Sequence, residues 1–262
     1  MIRRDLTTAL MITAVILFLA GFLVIRFDTD INIPAISGLF IIAMALPSYY
    51  ILCKEAGFGR GILLLIILSI IPLIIEAQAI VTGLPYGEFH YSDDLGLRLF
   101  DLVPLTVAFA YLPILLGAFT IASHLAGTHP WRLITGSALL LVLIDLAIDP
   151  AIVHAGLWIW PGGGVYYGVP AINFLGWLLT GLIYSGILYL GMRERLMEQR
   201  PIAIGMASSL LLIIALWTGY LLYAGLLIPF IIGCILLITL LHMTRQLPFY
   251  PYTETPQDTP KK

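Results

Sequence analysis

Apolar residues in this chain come in long unbroken runs, not in the one-sided stripes or strict alternation of water-facing elements. Eight runs approach or exceed the roughly 20 apolar residues that a bilayer-crossing helix needs. They are Leu6–Ile25, Ile33–Leu52, Gly61–Thr82, Leu102–Ser123, Leu133–Val153, Ala171–Gly191, Ile202–Tyr223 and Leu226–Met243. The pattern predicts an all-α, polytopic integral membrane helical bundle of about eight transmembrane helices. Residues 1–243 read as a single transmembrane domain, because the connecting loops are too short to hold a second one. The first run follows Met1-Ile2-Arg3-Arg4, a charged start that a signal peptide would share. Its apolar stretch exceeds the about 7–15 residues of a signal peptide's hydrophobic core, which predicts a retained helix. From Thr244 the chain is punctuated by Pro248, Pro251, Pro256 and Pro260 among Thr and Lys, which predicts a disordered tail through Lys262.

Composition agrees with the pattern. Of 262 residues, 60% are apolar and 11% are charged, and mean hydropathy is +1.02. A soluble domain carries about 25% charged residues. This excludes a soluble enzyme, a secreted disulfide scaffold and a disordered chain. A net charge of −2 without a basic block argues against a nucleic-acid partner. Cys53 and Cys234 lie in apolar context and match no disulfide or metal motif.

Basic residues set the orientation. With the N-terminus on one side, the eleven residues Arg3, Arg4, Lys54, Arg60, Arg132, Arg193, Arg195, Arg200, Arg245, Lys261 and Lys262 share that side, against two, Arg26 and Arg98, on the other. Basic residues stay cytoplasmic. The reading is a multi-pass protein of the cell membrane with both termini in the cytoplasm. The two longest loops, Gly83–Asp101 and His154–Pro170, then lie on the far side.

Ionisable groups inside spans are costly and point to function. Glu76 lies in the third span, and Asp145 and Asp149 lie in the fifth. Spacing of i, i+4 puts both aspartates on one helix face. Two acids facing one dry cavity repel when both are ionised, so the pair tends to keep a proton near neutral pH. Pro150 follows Asp149 directly and predicts a bend or break there. The structural alternative is that these acids hydrogen-bond neighbouring helices or cap that break. The two far-side loops are rich in Gly and aromatic residues, which also suits an interfacial belt. A metal site from His90, His154, Glu88 and Asp149 is weak: no two histidines have i, i+4 spacing, and no zinc-type motif occurs. No nucleophile elbow, P-loop or dinucleotide motif is present.

Two stretches resemble the membrane carotenoid hydratases. The first is Glu76 followed by Thr82-Gly83-Leu84-Pro85-Tyr86-Gly87-x-Phe89-x-Tyr91, Leu95-Gly96 and Val103-Pro104. The second is Asp145-x-x-x-Asp149-Pro150, then Gly156-x-Trp158-x-Trp160, Gly164-x-Tyr166-Tyr167-Gly168-Val169-Pro170 and Asn173-Phe174-x-Gly176-Trp177. Together they cover spans three to six. The resemblance implies carotenoid biosynthesis: addition of water to the terminal C1–C2 double bond of an acyclic end group, bisanhydrobacterioruberin-like, lycopene-like or γ-carotene-like, to give a tertiary alcohol. It implies a cofactor-independent hydro-lyase, with a lipophilic carotenoid as substrate, membrane lipid around it, and association with other membrane enzymes of the pathway.

The chemistry assigns expected roles. Asp149 is the first choice as proton donor, Asp145 tunes it, and Glu76 is the rival donor or positions water. Tyr166, Tyr167, Trp158 and Trp160 are expected to stabilise a cation and wall the pocket. Asn173 is expected to hydrogen-bond water or a carboxylate. Tyr86, Glu88, His90, Tyr91, His154 and Trp177 complete the expected substrate-binding set. Two alternatives remain: a lycopene cyclase, which also begins by protonating an alkene, and a small-solute transporter using the acids as a proton relay.

Overall fold

The protein is described by a computed structural model over residues 2–26 and 34–250. It is helical, as the apolar runs require: α1 (Ile2–Arg26), α2 (Pro34–Ala56), α3 (Phe58–Thr82), α4 (Val107–Leu125), α5 (Pro130–His154), α6 (Ala171–Gly191), the single turn α7 (Arg193–Leu196), α8 (Ser208–Ala224) and α9 (Leu227–Gln246). Among the described residues, eight helices are long and apolar enough to cross a membrane. The seventh of these opens with a 3-10 turn, Ile204–Ala207, before α8.

Helices α4 and α8 form the buried centre. Around them α1 lies along α8, α9 touches α8 and α5, and α5 meets α4 and α6; α3 packs on α2, α4 and α6. Close crossings are made by small residues, as in membrane bundles, where van der Waals contact drives association. A Cβ at Gly219 would strike the Phe18 backbone, and one at Gly21 would strike the backbone of Gly219 and Tyr220. On α4, Gly117 makes room for Leu210. The outer helices turn Ile12, Val15, Ile16 and Leu19 of α1, and Ile231, Ile235 and Ile238 of α9, outward. Lipid tolerates that surface and water does not.

Polar groups inside the bundle find partners. Ser48 and Ser209 exchange backbone N–H to hydroxyl bonds of 3.1 Å between α2 and α8. At the end of α2, the Glu55 side chain is buried. It receives the Arg195 Nε at 2.5 Å and the Ala203 N–H at 2.6 Å. This clasp holds α7 and the start of the seventh span against α2. Nothing in the apolar pattern marked it, because Glu55 sits beside Lys54 where a solvated helix end is expected.

The chain is still ordered at Thr244, where the tail was expected to begin. Helix α9 continues through Thr244 to Gln246, and the carbonyls of Pro248 and Phe249 accept the N–H groups of Ile204 and Gly205 at 2.9 and 3.1 Å. Those donors open the 3-10 turn and have no partner within it. The rest of the expected tail, 251–262, lies outside the described residues.

Two short antiparallel pairs knit the long loops at one end of the bundle. β1 (His90–Tyr91) pairs with β4 (Trp158–Ile159), setting Tyr91 opposite Trp158, and β2 (Arg98–Leu99) pairs with β3 (Val103–Pro104). The loop after α3 and the loop after α5 are thus joined over the ends of α3, α5 and α6.

Candidate active site

The first loop is folded inward by its own turns. Helix α3 ends at Gly83, whose N–H still bonds the Ala79 carbonyl at 2.7 Å and whose φ of +76° turns the following chain out of the helix. Tyr86 then packs against α6 where Gly176 has no side chain; a Cβ there would meet the Tyr86 ring and the Pro85 carbonyl at 2.6 and 2.7 Å. The Tyr86 hydroxyl donates to Thr180 Oγ1 at 3.1 Å, and Trp160 Nε1 donates to the Tyr86 carbonyl at 3.1 Å. The chain then runs into the short strand at His90–Tyr91, and its side chains alternate. Phe89 and Tyr91 point inward and are buried, while Glu88 and His90 point out and are exposed.

These residues close a small pocket. Glu76 and Asn173 supply polar groups, and Tyr86, Phe89, Tyr91, Trp158, Trp160 and Trp177 supply the walls. Its empty space is about 240 Å³ including the open mouth, and the enclosed part holds about one water molecule. Trp177 stacks on Tyr111 of α4 at 5.2 Å, and Tyr111 meets Tyr184 edge-on at 5.0 Å.

Three carboxyl groups lie at this end, all buried. Glu76 accepts a hydrogen bond from the Tyr91 hydroxyl. Burial, and then the Glu76 carboxyl beside it, push the Tyr91 hydroxyl well above the ordinary phenol range, so it stays a neutral donor. The Tyr91 carbonyl is held by Arg98 Nη2 at 3.1 Å, and Arg98 also pairs with Asp93 at 2.9 Å. Behind the pocket wall, Asn173 Nδ2 donates to Asp149 Oδ2 at 2.6 Å and to Asp145 Oδ2 at 3.1 Å. Both amide hydrogens of Asn173 are thereby used, leaving its oxygen as the free polar end. Sharing this one donor sets the two carboxyl groups side by side, a turn apart on the same face of α5. Asp149 Oδ1 is buried without a fixed donor.

Helix α5 does not break at Pro150; it runs on to His154. Proline lacks the N–H that would bond the Leu146 carbonyl. The Tyr166 hydroxyl takes that place and donates to Leu146 O at 3.0 Å. Partial burial pushes this hydroxyl up to about 12, so it too stays protonated.

Several expected site residues lie apart from the pocket. Tyr166 faces α5. Tyr167 is exposed and accepts the Ile228 N–H at 3.4 Å. His154 is exposed at the end of α5, with Nδ1 at 2.9 Å from the Tyr220 hydroxyl. Among the described residues, no three His, Cys, Asp or Glu side chains converge as a metal-binding set. The pocket instead contains Phe89, which strand alternation with Tyr91 would have identified. Tyr111, Thr180 and Tyr184, polar groups inside apolar spans, support it from behind.

Comparison with known proteins matches residues 32–240 to a family described as carotenoid biosynthesis protein. A curated relative, the bisanhydrobacterioruberin hydratase of Haloarcula japonica, is 34% identical over 186 residues, which is 68% of this chain and 61% of that protein. The chain therefore spans less than two thirds of that relative's length. No solved structure matches.

Proposed function

The chain belongs to the carotenoid biosynthesis protein family, and from that premise we propose that it hydrates the terminal double bond of an acyclic carotenoid end. The observation that carries this reading is the pocket itself. A buried carboxyl, aromatic faces and room for about one water meet at the end of a membrane bundle. Hydration needs those three things. A proton goes to C2, a tertiary cation forms at C1, the oxygen of one water bonds to C1, and that water gives up one proton. The sum is alkene plus water to tertiary alcohol, without change of oxidation level.

Roles follow from position. Its place before Pro150, close to the far-side loop, favoured Asp149 as the donor in the sequence. Glu76, however, lines the pocket, while Asp149 reaches it through Asn173. We therefore give Glu76 the part of donor to C2, with Tyr91 stabilising the carboxylate left behind. Phe89, Trp158 and Trp160 face the cation. Asn173, its hydrogens held by the aspartates, turns its oxygen to the water and orients it toward C1. The Asp145–Asp149 pair takes up the proton that the water loses.

Expression in a host that accumulates an acyclic carotenoid tests the reaction. The pigment should gain the mass of one water per reacting end. An unchanged mass with a new ring would mark a cyclase, and unaltered pigment would favour a transporter.

The basic residues support a cell-membrane orientation with both termini cytoplasmic and the pocket at the opposite face. Reporter fusions after Arg60, Arg132 and Arg200 should read cytoplasmic, and one within Gly162–Gly164 should read on the far side. A reversal at the glycine loop would invert the placement of the site.

A further inference from the structure

We propose that Tyr166 is a positioning residue that stands in for the amide hydrogen Pro150 lacks, and so fixes the turn of α5 that carries the aspartate pair. This role rests on the reading that the pair works in catalysis, but its structural core does not. In a regular helix the N–H of residue 150 would bond the carbonyl of residue 146. Proline has no such hydrogen, and its ring crowds that carbonyl. A buried carbonyl without a donor is costly, and the usual outcome is a kink. Here the helix continues for four residues past Pro150, and the Leu146 carbonyl receives the Tyr166 hydroxyl at 3.0 Å. The gap closed in this way, from Leu146 to Pro150, overlaps the turn from Asp145 to Asp149, so any opening of it changes how the two carboxyls meet Asn173.

The loop around Tyr166 is shaped for this contact. Tyr166 and Val169 exchange backbone hydrogen bonds of 3.2 and 2.9 Å around Tyr167 and Gly168, whose φ values of +51° and +87° match a type I′ turn. Gly164 sits against the Val169–Pro170 backbone so closely that a Cβ would overlap it. The Tyr166 ring is held edge-on by Phe174 of α6 at 5.7 Å. The hydroxyl is thus delivered by a constrained loop and a braced ring. It takes no part in lining the pocket.

The test is a cycle of substitutions in the full-length protein: Tyr166→Phe, Pro150→Ala and the double variant. Phenylalanine keeps the ring and removes only the hydroxyl. With Pro150 in place the change should lower kcat by about tenfold, the value of one such hydrogen bond, with KM within about twofold because no substrate contact is lost. In the Pro150→Ala background the new N–H serves Leu146, and the same change should cost less than about twofold. Melting temperature in detergent is followed through the same cycle and should show the same rescue. An equal loss in both backgrounds, in rate and in melting, overturns the proposal. If Tyr166→Phe cannot be purified alone but can be together with Pro150→Ala, the rescue is shown directly; failure in both backgrounds counts against it. Should no variant, nor the parent, hydrate any carotenoid, the hydratase reading fails while the melting cycle still decides the role of Tyr166.

Discussion

Glu76→Gln should abolish the hydrated pigment, with a fall in rate of about 10²–10⁴-fold, while leaving the protein inserted and extractable. Glutamine matches glutamate in size and still accepts the Tyr91 hydrogen bond. It cannot transfer a proton of carboxylic acidity, and general-acid loss costs about this much. Tyr91→Phe should cost less, about tenfold, because it withdraws one hydrogen bond from the carboxylate and leaves the acid in place. The comparison is product formed by each variant at matched membrane protein level. If Glu76→Gln retains near-parental rate while Asp149→Asn does not, the donor is Asp149 and the water approaches from the other side of Asn173. Asp145→Asn should be the mildest of the three carboxyl changes, since it removes a neighbour and not the pocket-lining acid.

Asn173→Leu should have the largest effect on stability. Leucine fills a similar volume but offers no hydrogens, so Asp145 and Asp149 both lose their amide donor inside the bundle. Hydrogen bonds to charged groups are worth about 1.5–3 kcal/mol each, and stranded buried acceptors cost more than an average bond returns. A loss of about 3 kcal/mol in unfolding free energy is expected, with hydration lost as well because the water is no longer oriented. Adding Asp145→Asn to Asn173→Leu should recover part of the stability, since an amide at 145 supplies a donor to Asp149. A variant as stable as the parent would mean that the carboxyls do not depend on Asn173.

The spans were legible because a bilayer demands an unbroken apolar run, and such runs are visible without any knowledge of packing. The polar members of the site were legible for the converse reason: Glu76, Asp145, Asp149 and Asn173 interrupt those runs at a cost that needs a cause. What each of them faces was not legible. Glu88 and His90 were expected at the pocket beside Tyr91 and Phe89 was not, whereas in the structure Phe89 and Tyr91 turn inward, with Tyr91 set opposite Trp158 by the pairing of β1 with β4. Tyr166 was expected at the pocket, and Pro150 was expected to bend or break α5. In the structure the Tyr166 hydroxyl bonds the Leu146 carbonyl, and α5 runs on past Pro150 to His154. Such a bond joins residues 20 apart through a turn whose geometry depends on where α6 begins. The Glu55–Arg195 clasp was hidden similarly: its partners are 140 residues apart.

All of the pocket's parts hang from one end of the bundle, from the close of α3 and α5 and the opening of α6. A linear polyene standing across a bilayer has its two tips at opposite leaflets, so only one tip of a symmetric substrate can meet this site at a time. Reaction at the second tip requires the molecule to turn over. By then its first tip carries a hydroxyl that must cross hydrocarbon, at a cost of about 4–8 kcal/mol when nothing bonds to it. Under the proposed hydration, a singly hydrated, lopsided product is therefore expected first, with the doubly hydrated pigment following only at the pace of lipid-phase inversion.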